Sequence, residues 1–267
     1  MKIGVLVKQV PDMEKVKFDT EKGVVDRKSA GTEVNPFDLN ALETAVQIKE
    51  STDGEITVLS MGPSSAEDAL KECISRGADH GVLLNDKSFA ASDTWATSFI
   101  LSRAVKYAGG FDLIVTGVMS VDGDTAQVGP QVAEFLKIPN AHFVSEIVST
   151  EENHIEVISD AFGGSYKKKL KFPALISVTK DINHPRLPKL KQKRKAKKAE
   201  IPVWGREDIA EDIAPEDLGS KGSPTKVKKI VVPPPVEREG KIFESSEKDE
   251  GVEELAKIIN DLKLVGG

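Results

Sequence analysis

A chain of 267 residues is long enough to bury a sizeable core and, at roughly 150 residues per domain, makes one large or two small domains. Its formal net charge of −6 excludes a bulk attraction for nucleic acid, and its single cysteine, Cys73, excludes an internal disulfide or a thiolate metal cluster. With no charged-then-apolar leader and no apolar run near the ~18 residues of a membrane span, the chain is expected in a reducing cytoplasm.

The first half alternates short apolar runs with helical patterns. Residues 3–7, 55–61, 81–84 and 112–116 read as strands whose continuous apolar character suits burial on both faces, as in a parallel sheet. The first helix opens at Asn35-Pro36, with Asn35 as N-cap and Pro36 at the first helical position, and carries Ala41, Leu42, Ala45 and Ile48 on one face. Residues 65–76 follow, with an Ala66, Ala69, Leu70 and Cys73 stripe and Gly77 as stop. Residues 94–107, ended by Gly109-Gly110, and residues 125–136 complete the set. Strict alternation predicts a doubly wound, mostly parallel α/β sheet.

From about residue 140 the pattern changes. Residues 143–149, 155–161, 166–170 and 175–178 read as strands with no helix between them, predicted to extend the sheet in part antiparallel, with a domain end near residue 179. Residues 180–198 hold Pro185, Pro188 and a basic run from Lys189 to Lys198. Residues 201–219 have room for a short helix, and Val231-Val232-Pro233-Pro234-Pro235 is necessarily extended. A terminal helix over residues 251–264 carries Val252, Leu255, Ile258, Ile259 and Leu262 on one stripe. Beyond a long arm, that stripe lacks a local core and calls for another surface, a partner subunit.

The segment richest in chemistry is Gly117-Val118-Met119-Ser120-Val121-Asp122-Gly123-Asp124-Thr125-Ala126-Gln127-Val128-Gly129-Pro130. It follows a buried strand and opens a helix, the place where open α/β sheets bind ligands and where helix N–H groups attract phosphate. Gly117, Gly123 and Gly129 permit close backbone approach, and Thr125 and Gln127 offer side-chain donors. Asp122 and Asp124 sit awkwardly beside a phosphate; they suit helix capping or ribose hydroxyls instead. The residues alone leave open whether this is a phosphate cradle or a glycine-rich turn. No Gly-Lys-Ser/Thr run and no G-x-G-x-x-G fingerprint is present, which argues against ATPase and ordinary dinucleotide-dehydrogenase readings.

With those segments in view, the chain resembles the electron-transfer flavoprotein beta subunit family over nearly its whole length. The resemblance rests on Val7-Lys8-Gln9-Val10-Pro11, Asn35-Pro36-Phe37-Asp38, Gly62-Pro63, Gly77-Ala78-Asp79, the glycine-rich loop, Asn183-His184-Pro185-Arg186 and Lys195-Ala196-Lys197-Lys198, in that order and spacing. It implies an adenine-nucleotide site formed by Leu6, Asn35, Pro36, Phe37, Asp38, Met61 and the loop residues Gly117, Asp122, Gly123, Asp124, Thr125, Ala126, Gln127 and Val128. Lys8 and Gln9 are placed by the same resemblance near a flavin ring. Many members hold a structural AMP there, whereas the electron-bifurcating branch holds FAD. The run from Asp122 to Pro130 looks like the bifurcating version, since the AMP branch tends to have a third acidic residue and an Asn-Gln-Thr-Gly run. The implied partners are an alpha subunit with a second FAD, a flavin-dependent dehydrogenase such as an acyl-CoA dehydrogenase, and ferredoxin or flavodoxin, with NADH as donor. NADH-oxidising flavin activity is then expected only in the complex, with no catalytic side chain or metal ligand in this chain.

The basic run holds six lysines and one arginine over residues 189–198 and fits a solvated arm or a nucleic-acid patch as well as a docking loop. The resemblance implies a partner-recognition loop over residues 180–200, with Leu190 as apolar anchor and the basic side chains steering an acidic rim. Leu187 stands where an aromatic is common in the family, and Gln192 to Arg194 replace a more apolar stretch. The implied division is a nucleotide domain over residues 1–179, the loop over 180–200 and an alpha-subunit-binding arm over 201–267. His80, His142, His154 and His184 have no metal spacing, and Trp95 and Trp204 read as packing residues. The other function class to weigh is a non-redox adenine-nucleotide-binding module of the same fold.

Overall fold

The computed structural model describes residues 1–12, 17–19, 24–26, 31–161, 163–227 and 240–262. The chain forms two compact units, Met1–Ile230 and Val231–Gly267.

The first unit begins with β1 (Lys2–Leu6), the short strands β2 (Gln9–Pro11), β3 (Lys17–Asp19), β4 (Val24–Asp26) and β5 (Thr32–Val34), then α1 (Pro36–Thr52), β6 (Glu55–Met61), α2 (Ala66–Arg76), β7 (His80–Leu84), α3 (Thr94–Tyr107), β8 (Leu113–Gly117) and α4 (Val128–Leu136). It continues with β9 (Asn140–Thr150), β10 (His154–Ala161), β11 (Gly164–Lys171), β12 (Ala174–Val178), α5 (Leu190–Ala196), β13 (Val203–Trp204), α6 (Arg206–Ile209) and α7 (Gly219–Gly222). The main sheet runs β11-β10-β9-β12-β8-β1-β6-β7-β13, parallel except where β10 pairs antiparallel with β9 and β11. The doubly wound architecture with added antiparallel strands expected from the alternation is therefore present.

Apolar runs in β1, β6 and β8 fill the sheet centre because both faces are covered. Ile3 and Val5 register with Ile56 and Val58 on one side and with Leu113 and Val115 on the other. One core lies under α1 and α2, where Ala41, Leu42, Ala45, Leu70 and Cys73 are buried against Ile3, Val5 and Ile56. The opposite core joins α3 and α4 through Ile100, Ala104, Val132 and Ala133 to Leu6, Leu59 and Ile114. Burial of Cys73 pushes its thiol up and keeps it an unreactive core residue.

The elements depart from the expected plan in the start of one helix and in several short strands. The fourth helix starts at Val128 rather than residue 125, because Asp124 (φ 50°) and Ala126 (φ 53°) adopt left-handed backbone that a right-handed helix cannot contain. The expected strands include neither the short pairs β2–β5 and β3–β4 nor β13, which adds Val203 and Trp204 to the sheet edge beside Leu83 and Leu84. Within the first unit, Trp204 packs edge-on against Tyr107 at 4.9 Å.

In the second unit, α8 (Lys248–Asp261) forms where the terminal amphipathic pattern predicts a helix. Its stripe, Val252, Leu255 and Ile258, together with Leu262, is exposed. The proline run Val231-Val232-Pro233-Pro234-Pro235 lies outside the described residues. Among the described residues no helix is long and apolar enough to cross a membrane.

Candidate nucleotide site

The chain passes from β1 to β6 and β7 on one side, then returns to place β8 on the other side of β1. At such a reversal the connections leave in opposite directions and open a crevice beyond the strand carboxyl ends. A cavity of about 750 Å³ lies there, between the ends of β1, β6, β7 and β8 and the starts of α1, α3 and α4.

Gly117 ends β8 against the start of α1. A Cβ there would lie 2.5 Å from Asp38 Oδ1 and 2.7 Å from Phe37 Cβ, so only glycine permits the approach. Asn35 then ties helix to loop. Its Nδ2 donates to the Met119 carbonyl at 2.9 Å, and its Oδ1 accepts from the Val121 N–H at 3.1 Å. The side-chain cap expected of Asn35 is not made, because the amide is engaged by the loop; Pro36 still occupies the first turn.

Lys8, just past β1, joins the same network. Its N–H donates to Asp38 Oδ2 at 2.8 Å, and its ammonium lies 2.7 Å from Asp122 Oδ1. Burial pushes the Asp38 carboxyl up to about 7, partly opposed by the bonds from Lys8, Asn35 and Gly117. Burial also raises Asp122, but the Lys8 ammonium and Ser120 outweigh it and hold that carboxyl below its ordinary range. Asp122 thus answers to Lys8, and Asp124 is exposed on left-handed backbone; neither caps α4, which begins four residues after Asp124.

Of the residues expected at a nucleotide, Leu6, Lys8, Asn35, Asp38, Met61, Gly117, Gly123, Thr125, Ala126, Gln127 and Val128 line this one cavity. Pro36, Phe37, Asp122 and Asp124 are not among the lining residues, although Asp122 reaches the rim through its bond to Lys8. Gln9 also points elsewhere, donating to Ser65 O at 2.8 Å and accepting from Ser65 Oγ at 2.9 Å. The first-turn N–H groups of α4 have no helical acceptor and supply donors suited to a phosphate. Leu6, Val7, Leu84 and Phe89 give the apolar wall that an adenine or flavin ring requires. The residue set therefore fits an adenine-containing nucleotide.

Sequence reasoning missed the far wall, where Asn85, Lys87, Ala91, Asp93 and Thr94 follow β7 and Thr225 arrives from the C-terminal side. The rule that ligands gather at strand carboxyl ends would have found the β7 group. No local signal marks Thr225.

The basic segment is anchored rather than free. Asn183 Nδ2 donates to Asn40 O at 3.1 Å and Thr44 Oγ1 at 2.8 Å. Arg186 reaches Glu43 at 2.7 Å and Glu50 at 2.5 Å. The residues that follow project outward: Leu187 is 83% and Leu190 68% exposed, at the start of α5. Gln192 accepts from the Lys189 N–H at 3.0 Å, fixing the first turn of α5. Trp95 packs edge-on against Phe135 at 4.8 Å, outside the cavity lining.

A family model described as "Electron transfer flavoprotein domain" matches residues 22–209. The "Electron transfer flavoprotein subunit beta" of Megasphaera elsdenii is 43% identical over 241 residues, covering 88% of this chain and 88% of that protein. The protein of the same name from Thermoanaerobacterium thermosaccharolyticum is 39% identical over 267 residues, covering 99% and 100%. The "Caffeyl-CoA reductase-Etf complex subunit CarD" of Acetobacterium woodii is 38% identical over 235 residues, covering 88% and 88%.

Proposed function

The chain belongs to the electron-transfer flavoprotein beta-subunit family, and from that premise we propose that its cavity holds FAD in a bifurcating heterodimer. The observation that carries this reading is the size and placement of the cavity. At about 750 Å³ it lies in the upper part of the ~300–1,000 Å³ range of small-molecule sites, which favours a dinucleotide over AMP alone. The Asp122 to Pro130 sequence supports the same branch. FAD supplies reversible hydride and single-electron chemistry when bound.

The protein's own part is to bind and orient. The α4 first-turn N–H groups and the Thr125 and Gln127 side chains would hold its phosphates, and the apolar lining, Leu6 and Met61 included, would receive its rings, while Asn35 and Lys8 brace the loop that carries the donors. No side chain of this chain acts as nucleophile. NADH is the proposed donor, with a flavin-dependent dehydrogenase and ferredoxin or flavodoxin as acceptors and an alpha subunit as permanent partner.

Residues 180–200 form the proposed docking loop. Leu187 and Leu190 are its apolar anchors and the lysines its steering charges. A relative whose printed name places it in a complex with a caffeyl-CoA reductase supports this role. The proposed arm, residues 201–267, begins packed in the first unit and ends in the second, where exposed Val252, Leu255, Ile258 and Leu262 would give the alpha subunit an apolar face.

Anaerobic NADH titration of the purified heterodimer tests the proposal. Stoichiometric bleaching of flavin, with ferredoxin reduced only when a dehydrogenase acceptor is also supplied, is the expected result. Flavin that stays oxidised in excess NADH contradicts bifurcation and leaves a simple electron carrier.

A further inference from the structure

The start of α3 stands between two walls of the nucleotide cavity and is bonded to both. Towards the glycine-rich loop, Thr94 Oγ1 donates to Gln127 Oε1 at 2.9 Å. Towards the C-terminal side, Asp93 divides its carboxylate. Its Oδ1 accepts from the Ala96 N–H at 3.1 Å and caps α3. Its Oδ2 accepts from both the N–H and the hydroxyl of Thr225, at 2.9 and 2.8 Å. The Asp93 N–H donates to Ser223 Oγ at 2.9 Å, and Ser223 Oγ donates to Gly219 O at 2.6 Å.

The segment leading to Thr225 is fitted to the cavity rim along its length. Leu218 is buried in the core under α3, beside Phe89. Gly219 has φ +57°, and a Cβ there would come within 2.2 Å of Ser88 O, so the segment crosses the β7–α3 connection at backbone contact. Ser220 N–H donates to Ala90 O at 3.0 Å. Thr225 and Asp93 both line the cavity.

We propose that residues 218–225 are a strap closing the nucleotide cavity, and that Asp93 is the positioning residue that latches the strap through Thr225. The inference rests on the reading that the cavity holds an adenine nucleotide. It assigns that site a wall formed by a segment nearly 100 residues beyond the glycine-rich loop. Release of the ligand past Thr225 requires the Asp93–Thr225 bonds to break, whereas the cap on α3 stays in place.

Asp93→Asn separates the two tasks: with the amide oxygen kept on the Ala96 N–H, the amide nitrogen faces the Thr225 N–H, which it cannot accept from, while the Thr225 hydroxyl can turn to accept from it without the charge. Thr225→Val removes the hydroxyl with little change of shape. The test uses the full heterodimer loaded with labelled FAD, and in a parallel arm with labelled AMP, chased with the unlabelled nucleotide. Release from Asp93→Asn is expected about tenfold faster than wild type, and from Thr225→Val about threefold faster, since the second loses one charge-assisted bond whereas the first loses the backbone bond and the charge assistance of the other. The double variant is expected to release no faster than Asp93→Asn, because both changes remove the same latch. Release within about twofold of wild type from both single variants overturns the latch, whatever their melting temperatures. If Asp93→Asn does not fold, Thr225→Val decides by itself. A wild-type complex that binds neither nucleotide in this subunit overturns the underlying reading and the strap with it.

Discussion

The ammonium of Lys8 lies 2.7 Å from Asp122, joining the end of the first strand to a loop 114 residues further along the chain. This contact accounts for an acidic residue beside the proposed phosphate cradle: Asp122 is neutralised from within the protein. The Lys8 side chain is 47% exposed, so the pair contributes under about 1 kcal/mol to stability. Its effect on binding is larger. Lys8→Ala leaves a bare carboxylate at the cavity rim and is expected to weaken nucleotide affinity on the order of tenfold. Lys8→Ala combined with Asp122→Asn is expected to recover most of that loss, as read by calorimetric titration.

Asn35 is fully buried and satisfies two backbone groups of the loop. Asn35→Ala strands the Met119 carbonyl and the Val121 N–H, at a cost of about 2–3 kcal/mol. Asn35→Asp keeps the acceptor for Val121 but turns a carboxylate oxygen toward the Met119 carbonyl, and is expected to be no better tolerated. Urea denaturation of the heterodimer measures both.

Asp38 gives the site a pH dependence of definite sign. Its folded pKa of about 7 exceeds the ordinary 3.8, so the folded state binds the extra proton between those values. The resulting stabilisation is complete below about pH 3.8 and is lost as pH rises through 7. Between pH 5 and 8, wild type is expected to lose on the order of 2–3 kcal/mol relative to Asp38→Asn. Parallel stability curves across that window would show that Asp38 is ionised in the fold.

Arg186 holds the root of the basic loop to α1 through Glu43 and Glu50. Burial raises the Glu43 carboxyl, but the Arg186 bonds outweigh it and hold Glu43 below its usual range. The stability this pair contributes is present above the ordinary carboxylate range and lost as pH falls through the lowered value. Arg186→Ala leaves the buried Glu43 carboxylate with Gln47 but no counter-charge from Arg186 and is expected to cost about 1–2 kcal/mol. Leu190→Ala touches none of these bonds. It is expected to leave stability and nucleotide content unchanged while slowing electron transfer to the dehydrogenase about tenfold or more. Stopped-flow traces with equal rates for Leu190→Ala and wild type would remove the docking role.

The main-sheet strands other than β13, the four sheet-covering helices and the cavity's near wall were legible in the sequence because each is encoded locally. Apolar runs mark β1, β6, β7 and β8, and Asn35-Pro36 marks the start of α1. What escaped is what distant segments decide. Asn35 reads as a cap, but a loop more than 80 residues away claims its amide. The helical pattern from residue 125 is cut short by left-handed backbone at Asp124 and Ala126, which no propensity signals for an alanine. The two residues of β13 and the arrival of Thr225 at the cavity are likewise tertiary events without a local signature.

The most direct test of the FAD assignment is the nucleotide content of the purified heterodimer, extracted and separated by chromatography. Two FAD per heterodimer and no AMP is the result expected of a cavity that holds the larger nucleotide. One FAD together with one AMP would contradict it.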